Sequence, residues 1–115
     1  MKITLCGSVR FEEYFRLVNG ELTMRGHIVL APGFFNHSTL HLPQYNAEER
    51  KGGLDELHLK KIYESNAIFV LDVFGYVGKS TQGEIDYAKD NGKTIFYWST
   101  GDLFCSELQN KEAEK

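Results

Sequence analysis

The chain has 115 residues, of which 42% are hydrophobic, and a formal net charge of −3. This size and composition are typical of one globular domain and exclude a disordered or fibrous protein. No apolar run approaches the roughly 20 residues of a membrane span, and no basic stripe indicates a nucleic-acid surface. We therefore expect a single domain over residues 1–115, with neither a membrane nor a nucleic-acid polymer as partner.

The amino-terminal residues and the two cysteines predict a cellular compartment. Polar residues interrupt the first apolar run too early for a signal peptide. Cys6 ends a predicted core strand, whereas Cys105 lies near the carboxyl terminus, so we expect two free thiols rather than a disulfide. Both observations predict a cytoplasmic protein.

Strand and helix patterns alternate along the chain. Apolar runs predict strands at residues 2–6, 27–31, 67–73 and 94–98, and helical periodicity predicts helices at 11–25, 54–65 and 80–91. Residues 34–53 predict a long irregular segment, which in so small a domain indicates a functional loop or lid. The alternation predicts an α/β fold with a three-layer, doubly wound parallel sheet of four to five strands, flavodoxin-like or Rossmann-like.

The segment from residue 67 to residue 88 is the most informative part of the sequence. A buried strand leads into a glycine-containing loop, and a helix then begins at Ser80 and Thr81, which places Glu84 in its first turn. Ligands of α/β proteins bind at such strand-to-helix junctions. Glu84 is therefore a candidate catalytic residue. The alternative is a carboxylate that stabilises the helix dipole by about 0.3–1 kcal/mol.

Two loops with similar residues are expected to meet at one edge of the sheet, because the carboxyl ends of parallel strands lie together. Each combines glycine, hydroxyl and cationic side chains before a helix, which is favourable for an anion such as phosphate. The alternative is that Ser8 and Ser80 or Thr81 are ordinary N-caps. The candidate phosphate-binding residues are Gly7, Ser8, Arg10, Gly78, Ser80 and Thr81.

Several site types are not favoured by the motifs. The chain has neither the G-x-x-x-x-G-K-[ST] motif of P-loop proteins nor a G-x-G-x-x-G dinucleotide motif. His37 and His41 are four residues apart, but they lie near Pro43 without a neighbouring carboxylate, so we interpret them as solvated or lid-lining residues. We expect no metal and no cofactor.

Three of these segments together resemble a known family. Gly7-Ser8-x-Arg10, the apolar strand ending at Asp72, and S-T-x-x-E-I-x-Y-A at residues 80–88 are similar to the nucleoside 2-deoxyribosyltransferase superfamily. Within it, the G-S-x-R loop resembles the deoxynucleoside 5′-monophosphate N-glycosidases. The resemblance covers roughly residues 2–97. It implies that Glu84 attacks the anomeric carbon of a deoxyribose, while Ser8, Arg10 and Ser80 hold the sugar or its 5′-phosphate.

The sequence departs from that family at one position. The family carries an aspartate on the helix before the third strand, where this chain has His58, with Asp55 one turn earlier. Either residue could act as proton partner of Glu84, since histidine titrates near neutrality, or both could simply face solvent. Asp72, at the end of the strand, is a third candidate. Tyr14 and Tyr76 are candidates to flank the base or sugar, on the basis of their location in the sequence alone.

The preferred function is enzymatic. We expect cleavage of an N-glycosidic bond, or deoxyribosyl transfer, on a (deoxy)nucleoside or its 5′-monophosphate through a glutamate nucleophile. Paired anion loops favour hydrolysis of a monophosphate over transfer. The alternative is a non-catalytic nucleotide-binding or sensor module of the same fold, and an electron carrier is a more distant possibility. The small size and apolar surplus favour a homodimer.

Overall fold

The computed structural model of the protein describes residues 1–33 and 49–101. Strands and helices alternate in the order β1 (Lys2–Cys6), α1 (Glu12–Met24), β2 (Ile28–Leu30), α2 (Lys51–Glu64), β3 (Ala67–Val70), α3 (Lys79–Asp90) and β4 (Thr94–Tyr97). Short 3₁₀ turns follow β1 at Val9–Phe11 and β3 at Val73–Gly75. The four strands form one parallel sheet in the order β2-β1-β3-β4. The predicted doubly wound α/β fold is confirmed.

Alternating residues of β1 and β3 divide the core into two layers. On one face, strand residues pack against α1, in a cluster of Ile3, Leu5, Phe69, Leu71, Phe15, Val18 and Leu22. On the other face, strand residues pack against α2 and α3, in a cluster of Cys6, Ile68, Val70, Ile62, Ile85 and Ala88. Burying each large apolar side chain stabilises the folded state by about 1.5–3 kcal/mol. Because each cluster contains side chains of both the sheet and its helices, the sheet and the two helical layers stabilise each other.

The strand order creates a crevice between β1 and β3. The chain leaves β1 toward the face covered by α1, whereas it leaves β3 toward the face covered by α2 and α3. The two loops that follow these neighbouring strands therefore separate at the carboxyl edge of the sheet. In open α/β sheets this switch point is where ligands bind.

Helix α2 begins earlier than the sequence predicts. Gly52 and Gly53 suggest a break, but both lie in the first turn of a helix that begins at Lys51. Lys51 Nζ bonds Asp55 Oδ2 at 2.8 Å across these glycines, and Leu54 N–H donates to the Arg50 carbonyl at 2.9 Å. The predicted irregular segment 34–53 is thus wrong over its last three residues, which are helical despite the low helix propensity of glycine.

Other predictions fall outside the described residues. They concern residues 34–48, which include His37 and His41, and residues 102–115, which include Cys105. Cys6 is a buried free thiol. In the part of the chain that is described, no helix is both long and apolar enough to cross a membrane.

Candidate active site

The loops that follow β1 and β3 lie against each other, as predicted. A Cβ atom on Gly7 would come within 3.1 Å of Leu71 Cβ and 3.2 Å of the Leu71 carbonyl oxygen, so a glycine permits this close approach. Arg10 Nη2 donates to Tyr76 Oη at 3.3 Å, and the guanidinium carbon lies 4.2 Å from the centre of the Tyr76 ring. The exposed Arg10 side chain is therefore positioned at the edge of the crevice by the opposite loop.

Glu84 lies one turn further into its helix than predicted. Helix α3 begins at Lys79, with Gly78 as N-cap, so no acidic residue is in its first turn and Glu84 falls in the second. The favourable effect of the helix dipole is largely confined to the first turn. A purely helix-stabilising role for Glu84 is therefore disfavoured, and its side chain is only 17% exposed.

Three side chains from different elements meet at this point. Glu84 Oε2 on α3 lies 3.8 Å from His58 Nε2 on α2, and His58 Nε2 lies 3.6 Å from Cys6 Sγ at the end of β1. One donor atom from each residue lies within 4.8 Å of the other two. Cys6, His58 and Glu84 are called the Cys–His–Glu cluster below. It lies beneath the switch point, on the face covered by α2 and α3.

Burial shifts both titratable partners toward their neutral forms. Removal from water raises the pKa of Glu84 from 4.5 to about 7, and the negative charge of Asp55 adds to this effect. Burial likewise lowers the pKa of His58 from 6.5 to about 4, helped by the positive charge of Lys61. At neutral pH the imidazole is thus uncharged while Glu84 divides between acid and carboxylate. The 3.8 Å contact is therefore not a fully charged ion pair.

Cys6 is the cluster member that the sequence interpretation missed. Burial, followed by the charge of Glu84, raises the pKa of its thiol well above the ordinary value of 9.0. The available signal was strand alternation. If Leu5 faces α1, then Cys6 must face α2 and α3, directly before the loop that begins at Gly7.

The three candidate partners of Glu84 have different positions. His58 contacts it, as described. Asp55 is half exposed and pairs with Lys51, so it acts on Glu84 through its charge. Asp72 accepts hydrogen bonds from the Ser99 backbone N–H at 2.9 Å and from Ser99 Oγ at 2.5 Å. Its carboxylate thus attaches the residues after β4 to the end of β3, which is a structural role.

The predicted phosphate-binding hydroxyls also differ from one another. Ser8 is the N-cap of the turn after β1, since its Oγ accepts from the Arg10 backbone N–H at 3.3 Å, so the alternative N-cap role is confirmed there. For Ser80 and Thr81 that alternative is wrong, because Gly78 caps α3. Ser80 is exposed and Thr81 is buried. A glycine cap has no side-chain acceptor for the first N–H groups of the helix.

A cluster of four aromatic side chains lies on the α1 side of the crevice: Phe11, Tyr14, Tyr76 and Trp98. Phe11 makes edge-to-face contacts at 6.1 Å with both Tyr14 and Tyr76, and Tyr14 packs edge-on against Trp98 at 5.6 Å. Phe74 is 89% exposed and has a left-handed backbone, with φ of 56°. Of the two tyrosines suggested by location, Tyr76 is at the crevice through Arg10, whereas Tyr14 packs against the core.

Comparison with known proteins provides no independent identification. No protein-family model matches the chain, and no curated protein or solved structure matches it at a significant level.

Proposed function

We propose that the protein hydrolyses the N-glycosidic bond of a deoxynucleoside 5′-monophosphate, with Glu84 as the nucleophile. One observation carries the proposal: a mostly buried carboxylate contacts a neutral histidine beneath the β1–β3 switch point, and the crevice there has Arg10 at its edge and a glycine-capped helix that begins after β3. Such a crevice is the expected ligand site of this fold. A small-molecule nucleotide is the substrate class that fits its charge pattern.

The 5′-phosphate would bind between Arg10 and the beginning of α3. The first N–H groups of this helix and the positive end of its dipole favour an anion, and the exposed Ser80 hydroxyl can donate a further bond. Arg10 adds a forked, permanently charged donor. Glu84 follows Lys79 by five residues, about 7.5 Å along the helix axis. This offset suits a sugar whose phosphate sits at the helix end and whose anomeric carbon lies deeper.

The chemistry requires Glu84 as a carboxylate. Its oxygen attacks the anomeric carbon, the bond to the base breaks, and the base leaves with the electron pair and takes a proton from solvent. Water then attacks the glycosyl–Glu84 ester, which releases deoxyribose 5-phosphate and restores the carboxylate. Glu84 gives up its proton to solvent before the first step, because the pKa of His58, about 4, is lower than that of Glu84, about 7. The neutral imidazole of His58 can accept a proton from the attacking water in the second step.

The decisive experiment is a chromatographic screen for free base. The purified protein is incubated with each deoxynucleoside, each 5′-monophosphate and the matching ribonucleotides, with and without an acceptor base. We expect base release from a deoxynucleoside 5′-monophosphate without acceptor, and its loss in Glu84→Gln. Asp86→Asn is the matched control, because Asp86 is an exposed carboxylate on the same helix.

Two other outcomes would change the conclusion. Product formation that needs the acceptor base would indicate a deoxyribosyltransferase. Nucleotide binding without base release from any compound, unchanged in Glu84→Gln, would instead support the nucleotide-binding or sensor module. Homodimer formation stays a prediction, which sedimentation of the purified protein can test.

A further inference from the structure

The Cys–His–Glu cluster has the composition and spacing of a transition-metal site. We propose that Zn²⁺ binds to Cys6 Sγ, His58 Nε2 and a carboxylate oxygen of Glu84. Binding of the cation is independent of the proposed function. A consequence that rests on the proposed function is that bound Zn²⁺ inhibits the hydrolase, because it occupies the nucleophile.

The distances between the donor atoms suit a single tetrahedral cation. Zinc bonds are about 2.3 Å to sulfur and about 2.0–2.2 Å to nitrogen or oxygen, so adjacent donor atoms lie about 3.3–3.6 Å apart. In the cluster, Cys6 Sγ and His58 Nε2 are 3.6 Å apart, and His58 Nε2 and Glu84 Oε2 are 3.8 Å apart. Small side-chain adjustments would therefore bring all three donors into the coordination sphere of one ion.

The donor set favours zinc over magnesium or calcium. A thiolate and an imidazole are ligands of zinc and similar ions, whereas magnesium and calcium take oxygen ligands. Nε2 of His58 lies next to both other donor atoms, 3.6 Å from Cys6 Sγ and 3.8 Å from Glu84 Oε2.

Charge and access are also compatible with a cation. The Cys6 thiol releases its proton to solvent on binding, so thiolate and carboxylate together balance the two positive charges of zinc. Cys6 is fully buried, but the Glu84 side chain retains 17% exposure, which provides the open side. Three protein ligands leave a fourth position for water. Zinc bound to one oxygen of Glu84 withdraws electron density from the whole carboxylate, so Glu84 is a weaker nucleophile toward an anomeric carbon.

Cobalt(II) is the appropriate probe, because thiolate coordination gives a near-ultraviolet charge-transfer band and tetrahedral geometry gives visible bands. The Cys105→Ser protein is titrated with CoCl₂, so Cys6 is its sole thiol. We expect one cobalt per chain with both features, and displacement of cobalt by Zn²⁺. Both features are lost in Cys6→Ala and in His58→Gln, and both are kept in Asp86→Asn.

Circular dichroism verifies that each variant is folded, and His58→Gln still tests the site if Cys6→Ala does not fold. Cobalt binding without the thiolate band, binding that survives loss of His58, or no binding would overturn the proposal. The two proposals fail separately. Cobalt binding without base release contradicts the hydrolase alone, and base release with no cobalt binding and no inhibition by ZnCl₂ contradicts the metal site alone.

Discussion

Replacement of Glu84 by glutamine is expected to stabilise the protein at alkaline pH while it removes the proposed nucleophile. Burial raises the pKa of Glu84 from 4.5 to about 7. At about 1.4 kcal/mol for each pH unit, this difference corresponds to about 3 kcal/mol. Because the pKa is higher in the folded state, the stability contribution is complete below about pH 4.5 and is lost as pH rises through about 7. Glutamine has a similar shape and no charge, so it avoids this loss.

The measurement is the free energy of unfolding in urea, from pH 4.5 to pH 8.5, for the wild type and Glu84→Gln with a chelator present. The stability of the variant relative to the wild type should grow by about 3 kcal/mol across this range, or about 10 °C in Tm for a domain of this size. His58 also affects the curves. Its pKa is lowered to about 4, so its contribution is present above about pH 6.5 and declines as pH falls toward 4. That loss occurs in both proteins and largely cancels in the difference.

The matched control is Asp86→Asn, which neutralises an exposed carboxylate on the same helix. We expect it to change the unfolding free energy by about 0.5 kcal/mol or less at every pH. A difference between Glu84→Gln and the wild type that stays constant from pH 5 to pH 8.5 would refute the reasoning, because it would mean that burial does not perturb Glu84.

Three further predictions concern the crevice. The kcat/KM of base release should rise with pH through about 7, because Glu84 must be ionised. Asp55→Asn should move this rise to lower pH, because it removes a negative charge that raises the pKa of Glu84. A pH–rate profile that is unchanged in the variant would contradict this prediction. Arg10→Gln should raise KM for the monophosphate about 10- to 100-fold, because it removes a charged hydrogen bond to the phosphate. The kinetics with the nucleoside should not change. An equal rise in KM for both substrates would argue against a phosphate site. Gly7→Ala should lower the unfolding free energy by about 1–3 kcal/mol, since its Cβ would crowd Leu71; unaltered urea denaturation would contradict the contact.

The loop sequences were sufficient to predict where the crevice lies, but not which side chains contact Glu84 there. Alternating strand and helix patterns were sufficient for the parallel α/β sheet, since right-handed crossovers restrict the topology. The same rule brought the loops beginning at Gly7 and Gly78 to one edge, and the contact between Arg10 and Tyr76 agrees with it. The start of α2 was not predictable, because a pair of glycines indicates a break, whereas the helix in the structure includes both.

Local pattern alone determined that a carboxylate follows the third strand and that glycines, hydroxyls and an arginine precede the helices. Only the tertiary structure decided which partner Glu84 has, because His58 and Cys6 are 52 residues apart in sequence and meet through packing of α2 against the end of β1. Tertiary structure also decided its charge. The pKa of a side chain depends on the water and charges around it, and the sequence specifies neither until the chain has folded.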